Sequence, residues 1–299
     1  MLSGENMEGS SVAKIEPLGV LAGRVQAVLG GLPQRSALGG VQRKRVELLT
    51  LKLALLAPEY KLLPPCEDLL LQCSQVASDR HNAEDYGGRD DAAAYGRARL
   101  IQFMTSATTC SPSSEKAWEF IPPEADPSTL LPPKRRQRQR QQIMSLLRAC
   151  AALMLVLDNA AFSTKAAGKR RAVDFAGGCG HVGVLLAWLF PAWDIVCVDA
   201  KEYSLNMGLE RARQLGLDNY STCHADIRDY RAAFDLGIAL HACGSASDFA
   251  IQACLRQRAT LVVAPCCVGK VGSGYWQASE VSMYEDTYIA VCYSMRAHT

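Results

Sequence analysis

The sequence lacks any apolar run near the roughly 20 residues that a membrane-spanning helix needs, so a transmembrane class is not expected. Its first residues, MLSGENMEGSS, lack a basic segment followed by an apolar one, and no secretory signal is expected. Neither charge sign is in large excess: the formal net charge is +2 at pH 7. Nothing global therefore points to nucleic acid or to a membrane, and any basic partner site must be local. No C-x-x-C spacing occurs, which removes the commonest form of zinc site. Cysteine itself is not scarce. The 12 cysteines are scattered, and some, such as Cys197 and Cys292, lie inside apolar strand-like runs. That placement suits reduced, buried thiols in a cytoplasmic or nuclear protein rather than a disulfide framework.

What is present reads as globular. The 299 residues allow one or two domains, and 49% hydrophobic with 21% charged residues is enough for a core. Residues 1–40 are Gly/Ser-rich and read as a flexible segment with one short helix, Val20 to Leu29. Residues 41–104 read as a helical region. Val46, Leu49, Leu53 and Leu56 recur at helical spacing, and a second such pattern runs from Cys66 to Ala77. Residues 105–131, rich in Pro, Ser and Thr, read as an irregular linker.

The character changes at Pro132-Pro133, and residues 132–299 read as one α/β domain with a leading basic helix. Proline suits the first helical position. Ile143, Leu146, Leu147, Cys150, Met154 and Leu157 form one apolar stripe. The first turns carry Lys134, Arg135, Arg136, Arg138 and Arg140, and cations there oppose the helix dipole. This cluster is either a solvated basic face of nuclear-localisation type or a phosphate-binding edge.

From Lys169 strands and helices alternate. Strands are expected at Ala172–Phe175, Asp194–Val198, Tyr220–His224, Leu236–Leu240, Thr260–Ala264 and Tyr288–Tyr293. Helices are expected at His181–Phe190, Glu202–Leu215 and Ser247–Gln257, the second ending at Gly216. This alternation implies a parallel sheet with right-handed crossovers.

The stretch RAVDFAGGCGHVG, Arg171 to Gly183, joins the first of these strands to its helix through a Gly-rich turn. A dinucleotide fingerprint fits it poorly, because the glycine after Gly178 and Gly180 falls at Gly183, too late for G-x-G-x-x-G. Asp174, Gly177 and Gly180 instead make an acid-x-x-G-x-x-G arrangement, the form used by S-adenosylmethionine (SAM) methyltransferases. There the acid helps hold the turn and the methionine amino end, and glycines, Gly178 included, leave room for the ligand. Asp199, ending the second strand, suits ribose hydroxyls, and Asp226, after the third, suits the adenine amino group. His241 and Cys243 end the fourth strand, and Cys266 and Cys267 the fifth. His241 as base, substrate orienter or cofactor neighbour, a cysteine as nucleophile, and plain packing of small residues remain open here. A metal is not expected.

DFAGGCGHVGVLLA, ALHACGSASD and APCCVGK closely resemble the methyltransferase domain of the glutathione S-transferase C-terminal domain-containing protein family. LPPKRRQRQRQQIMSLL resembles the basic helix before that domain. More distantly, HACG-x-A-x-D and the Cys-Cys pair resemble tRNA 2′-O-methyltransferases with HLCG-type and CCH-type motifs. Val268 stands where the CCH-type histidine would be. The resemblance implies a Rossmann-like class I methyltransferase with SAM as cofactor and RNA, tRNA among the candidates, as substrate, the basic cluster serving as the RNA contact. Only Val268 to Thr299 follows Cys267, so a sheet of five or six strands, without the family's last hairpin, is expected. Two rivals remain: a catalytically inactive adaptor that binds RNA or protein through the basic helix, and an NAD-dependent oxidoreductase, which the acid at Asp174 and the glycine spacing disfavour.

Overall fold

The computed structural model describes residues 61–63, 97–98, 100–101, 115–158, 169–240, 242, 244–264 and 288–291. The expected segment 1–40, the helical patterns at 41–57 and 66–77, and the Gly-rich loop after Cys267 lie outside the described residues. The strands are β1 (Lys61–Leu63), β2 (Arg170–Phe175), β3 (Trp193–Asp199), β4 (Tyr220–His224), β5 (Leu236–Leu240), β6 (Thr260–Ala264) and β7 (Tyr288–Val291). The longer helices are α1 (Pro133–Asp158), α2 (Gly183–Leu189), α3 (Glu202–Gln214) and α4 (Ser245–Gln257).

The strands form one seven-stranded sheet in the order β1-β7-β6-β5-β2-β3-β4. Every pairing in it is parallel. Its central strands are buried on both faces, as the continuous apolar runs LVVA of β6 and IVCV of β3 require. Alternation along β2 sends Ala172 and Asp174 to one face, Val173 and Phe175 to the other. On the first face Ala172, Ile195 and Ile238 pack with the inward stripe of α1 and with all of α2. On the second, Val173, Phe175 and Val198 pack with α4 and with Tyr230 and Phe234. Phe175 meets both of those rings edge-on, with centroids 6.0 and 5.5 Å apart.

Two expectations are corrected here. The sheet has seven strands rather than five or six. The added strand is β1, which pairs Leu62 with Ile289 and comes from the region expected to be helical. Three residues carry no readable period, whereas the apolar edge of β7 has unpaired backbone groups to satisfy. The second correction concerns residues 115–131. They are irregular as expected, but packed: a short 3-10 helix, Glu115–Phe120, and the turns after it bury Trp118, Ile121, Ala125, Asp126 and Ser128 against α1. Among the described residues no helix is long and apolar enough to cross a membrane.

Strand β2 pairs with β3 on one side and β5 on the other. After β2 the chain runs outward to β3 and β4, then returns across to β5. The carboxyl ends of β2, β3 and β5 therefore open on the topological switch point, where a crevice forms.

Candidate functional site

The turn after β2 rises out of the sheet at this switch point. Positive φ values occur at Ala176 (54°), Gly178 (56°) and Gly180 (66°). Gly178 and Gly180 are thus glycine for conformational reasons. Gly177 is glycine for space. A Cβ there would lie 2.6 Å from both the Asp174 carboxylate carbon and the Cys197 sulfur. The turn closes with Gly180 N–H donating to the Gly177 carbonyl at 3.0 Å.

Asp174 lies beneath the turn, 1% exposed. Its Oδ2 accepts from Gly183 N–H at 3.0 Å, so the first amide of α2 is satisfied by the chain itself. Helix α2 begins at Gly183, two residues after the expected start. Burial pushes the Asp174 carboxyl up to about 7 from 3.8; the Gly183 N–H opposes the rise and the Asp199 charge adds to it. Asp174 therefore holds the turn from below. Beside it lie Cys197 and Tyr220, whose thiol and hydroxyl burial pushes well above their usual ranges. The Tyr220 hydroxyl faces that thiol and has no oxygen or nitrogen partner. It fills the space beneath Gly180 and Gly208, where any Cβ would strike it.

Asp199, at the end of β3, stands half-buried at the lip of the crevice. Its Oδ2 accepts from Gly178 N–H at 3.0 Å, and its Oδ1 from Lys201 N–H at 2.8 Å. Each oxygen keeps a second lone pair for a ligand. Above the turn the space is open: a Cβ on Gly178 would meet nothing within 4 Å. Open above Gly178, packed below Gly177 and edged by a carboxylate, the turn fits a nucleoside with a polar tail. Asp226 caps the short helix Ile227–Asp229, accepting from Arg228 N–H at 2.8 Å. The Arg228 guanidinium also grips it, at 2.9 Å to each oxygen, and this side-chain pairing leads in holding the carboxyl down at about 2.

Past β5 the chain turns through Gly244, whose φ of 66° and ψ of −138° suit glycine. The buried Ser247 hydroxyl donates back to the Ala242 carbonyl. The sequence-predicted His241, Cys243, Cys266 and Cys267 lie outside the described residues, so Asp174, Gly177, Gly178, Gly180 and Asp199 are the candidates seen together. No group of three or more His, Cys, Asp or Glu suited to a metal occurs among the described residues.

The basic cluster divides. Arg140 pairs with the buried Asp126 at 2.7 Å and lies over the Trp118 ring at 5.1 Å. Arg136 turns back to the Thr129 and Leu131 carbonyls at 2.8 and 3.3 Å. Lys134, Arg135 and Arg138 are exposed. Gln139, in the same turns of α1, lies 3.2 Å from His181 Nδ1 on the glycine turn. Sequence reasoning missed two residues that shape the site. Arg211 donates to the Cys179 carbonyl at 3.0 Å, and Tyr220 props the turn from below. Neither stands in a motif.

A parallel sheet with a switch-point crevice, this glycine turn and these carboxylates gives the domain a Rossmann-like architecture. Residues 138–273 match the family described as a methyltransferase domain. A glutathione S-transferase C-terminal domain-containing protein homolog of Drosophila melanogaster is 36% identical over 154 residues, 52% of this chain and 24% of that protein. The human protein of that description is 34% identical over 170 residues, 56% of this chain and 25% of that protein. The chain is thus similar to one part of those proteins and spans about a quarter of their length. Among solved structures, an rRNA methylase from Streptococcus thermophilus matches with a TM-score of 0.25 and 18% identity, over 30% of this chain and 55% of that one.

Proposed function

We propose that this chain is a SAM-dependent methyltransferase acting on RNA, with tRNA among the candidates, in the cytoplasm or nucleus. The cofactor would lie over Gly177–Gly180, its ribose at Asp199 and its adenine near Asp226. When bound it supplies a methyl group already activated on a sulfonium. The chain's share is then to hold the acceptor in line and exclude water, and a strong base is not always needed. His241, Cys266 and Cys267 would border the methyl group. Asp226 would meet the adenine only with its Arg228 partner alongside.

One observation carries the RNA reading. The 3.2 Å contact of Gln139 with His181 sets the basic turns of α1 against the cofactor turn. A phosphate chain held by Lys134, Arg135 and Arg138 would then pass the mouth of the crevice. Arg136 and Arg140 would add charge, but their guanidinium groups already serve the segment before α1. Among the described residues, thiols outside disulfides at Cys179, Cys197, Cys223 and Cys254 suit the reducing compartment proposed.

The test is transfer of a labelled methyl group from SAM to total RNA, to a tRNA fraction and to protein. Label in RNA supports the reading; label only in protein overturns its substrate half. Replacing Lys134, Arg135 and Arg138 together with glutamine should lower RNA affinity and reduce the slope of log affinity against log salt by about 2 to 3. An unchanged slope moves the RNA elsewhere. RNA binding without any SAM binding would favour the adaptor.

A further inference from the structure

The segment before α1 does more than cover the core. Asp126, 6% exposed, is its hub. Its Oδ1 accepts from the Ser128 amide at 2.8 Å and the Ser128 hydroxyl at 2.6 Å. Its Oδ2 accepts from Arg140 Nη2 at 2.7 Å and Nε at 3.2 Å. These bonds fix the preceding peptide carbonyls of Glu124 and Ala125 in direction. Both carbonyls are received by one side chain, Arg211 of α3, at 3.4 Å from Nε and 2.7 Å from Nη2. The remaining arm of the same guanidinium, Nη1, holds the Cys179 carbonyl in the glycine turn at 3.0 Å.

Besides Asp174 below it, the turn is therefore pinned at two places. Asp199 holds its near half through Gly178 N–H. Arg211 holds its far half through the Cys179 carbonyl, and with it the peptide plane entering Gly180 at φ 66°. A guanidinium has a planar fork of five donors, so it can serve three carbonyls in fixed directions at once. Burial holds the Arg211 pKa below its usual value, and among the described residues its hydrogen bonds go to carbonyls. In that half-buried place its hydrogen bonds are stronger than they would be in water.

We infer that residues 115–131 are a working part of the cofactor site and that Arg211 is its positioning residue, setting the Cys179–Gly180 half of the turn. This rests on the cofactor reading above. With the ribose at Asp199, the methionine end is the part of the cofactor that lies toward the half Arg211 sets. Loss of the fork should therefore be felt by ligands that carry the amino-acid tail and not by ligands that lack it.

The experiment is calorimetric titration of the full chain with S-adenosylhomocysteine and with 5′-methylthioadenosine, which has no amino-acid tail. Arg211→Met should weaken S-adenosylhomocysteine about tenfold or more while leaving methylthioadenosine within about twofold. Arg211→Lys keeps the charge but not the fork, and should fall between wild type and Arg211→Met for the first ligand only. Asp126→Asn, which loosens the strap at a distance from the turn, should show the same split in weaker form. Equal loss of both ligands in the folded Arg211→Lys protein, or no loss of either, overturns the inference. Wild-type protein that binds neither ligand overturns the cofactor reading itself, which is read before any variant is made.

Discussion

At the scale of single residues, the glycine turn shows two different demands on one residue type. Gly177→Ala drives a Cβ into the Asp174 carboxylate and the Cys197 sulfur, and should destabilise by about 2–3 kcal/mol. Gly178→Ala meets no atom and bears only its φ of 56°, a penalty of about 1 kcal/mol. Urea unfolding of the two variants checks the order. Equal effects would mean that conformation, and not space, governs both. Asp174 provides a pH test. Its folded pKa, about 7, lies above its ordinary 3.8. The folded state keeps the proton to higher pH, so this contribution to stability is complete below about pH 4 and lost as pH rises through about 7. Asp174→Asn should flatten that part of the stability profile, because the amide oxygen still accepts from Gly183 N–H. An unchanged slope between pH 4 and 7 would assign the ionisation elsewhere. Asp174, Asp199 and the glycines were legible because backbone geometry restricts the residue types that fit there. Arg211 and Tyr220 were not, since an arginine on an amphipathic helix and a tyrosine opening a strand have many ordinary uses. Only the fold brings them under the turn.

At the scale of elements, the strands and helices of the α/β half follow their sequence signals closely. Gly216 ends α3 with φ 65°, its N–H donating to the Arg213 carbonyl at 3.0 Å and Leu217 N–H to Ala212 at 2.9 Å. The packing of segment 115–131 went unsignalled. Prolines and serines mark an irregular chain, and the chain is irregular, yet it is packed. Trp118 and the Asp126 hub are single residues, and no periodicity announces them. This strap also explains how α1 tolerates cations in its first turns. Arg136 and Arg140 turn their charge onto carbonyls and onto Asp126 instead of leaving it at the helix start. Trp118→Ala should destabilise by about 3–5 kcal/mol, since a ring 7% exposed leaves a cavity against α1. A loss below about 1 kcal/mol, comparable to an exposed side chain, would return the strap to the status of a linker. The Asn219 amide makes a similar hidden tie. It donates to the Ala187, Phe190 and Trp193 carbonyls at 3.0, 3.2 and 2.9 Å, joining the end of α2 to the start of β3.

At the scale of the whole molecule, the sheet draws on a part of the chain remote in sequence. The α/β rhythm and the parallel sheet were legible from alternating apolar runs, whereas the switch point follows from the strand order. The seventh strand was not, because a three-residue edge strand is selected by its partner's open edge and not by its own pattern. A chain beginning at Pro64 should expose β7 and self-associate, visible as a rise in mass by light scattering at tens of micromolar protein. A monomer unchanged by that truncation would mean the β7 edge needs no cover. A cofactor seated at the switch point, with its ribose at Asp199, is the feature on which the proposed function turns. Calorimetric titration of S-adenosylhomocysteine into the wild type and Asp199→Asn tests this most directly. A micromolar Kd that weakens about tenfold or more in the variant is expected, because one charged acceptor at the lip is lost. Folded wild-type protein that takes up no ligand at millimolar concentration would contradict it.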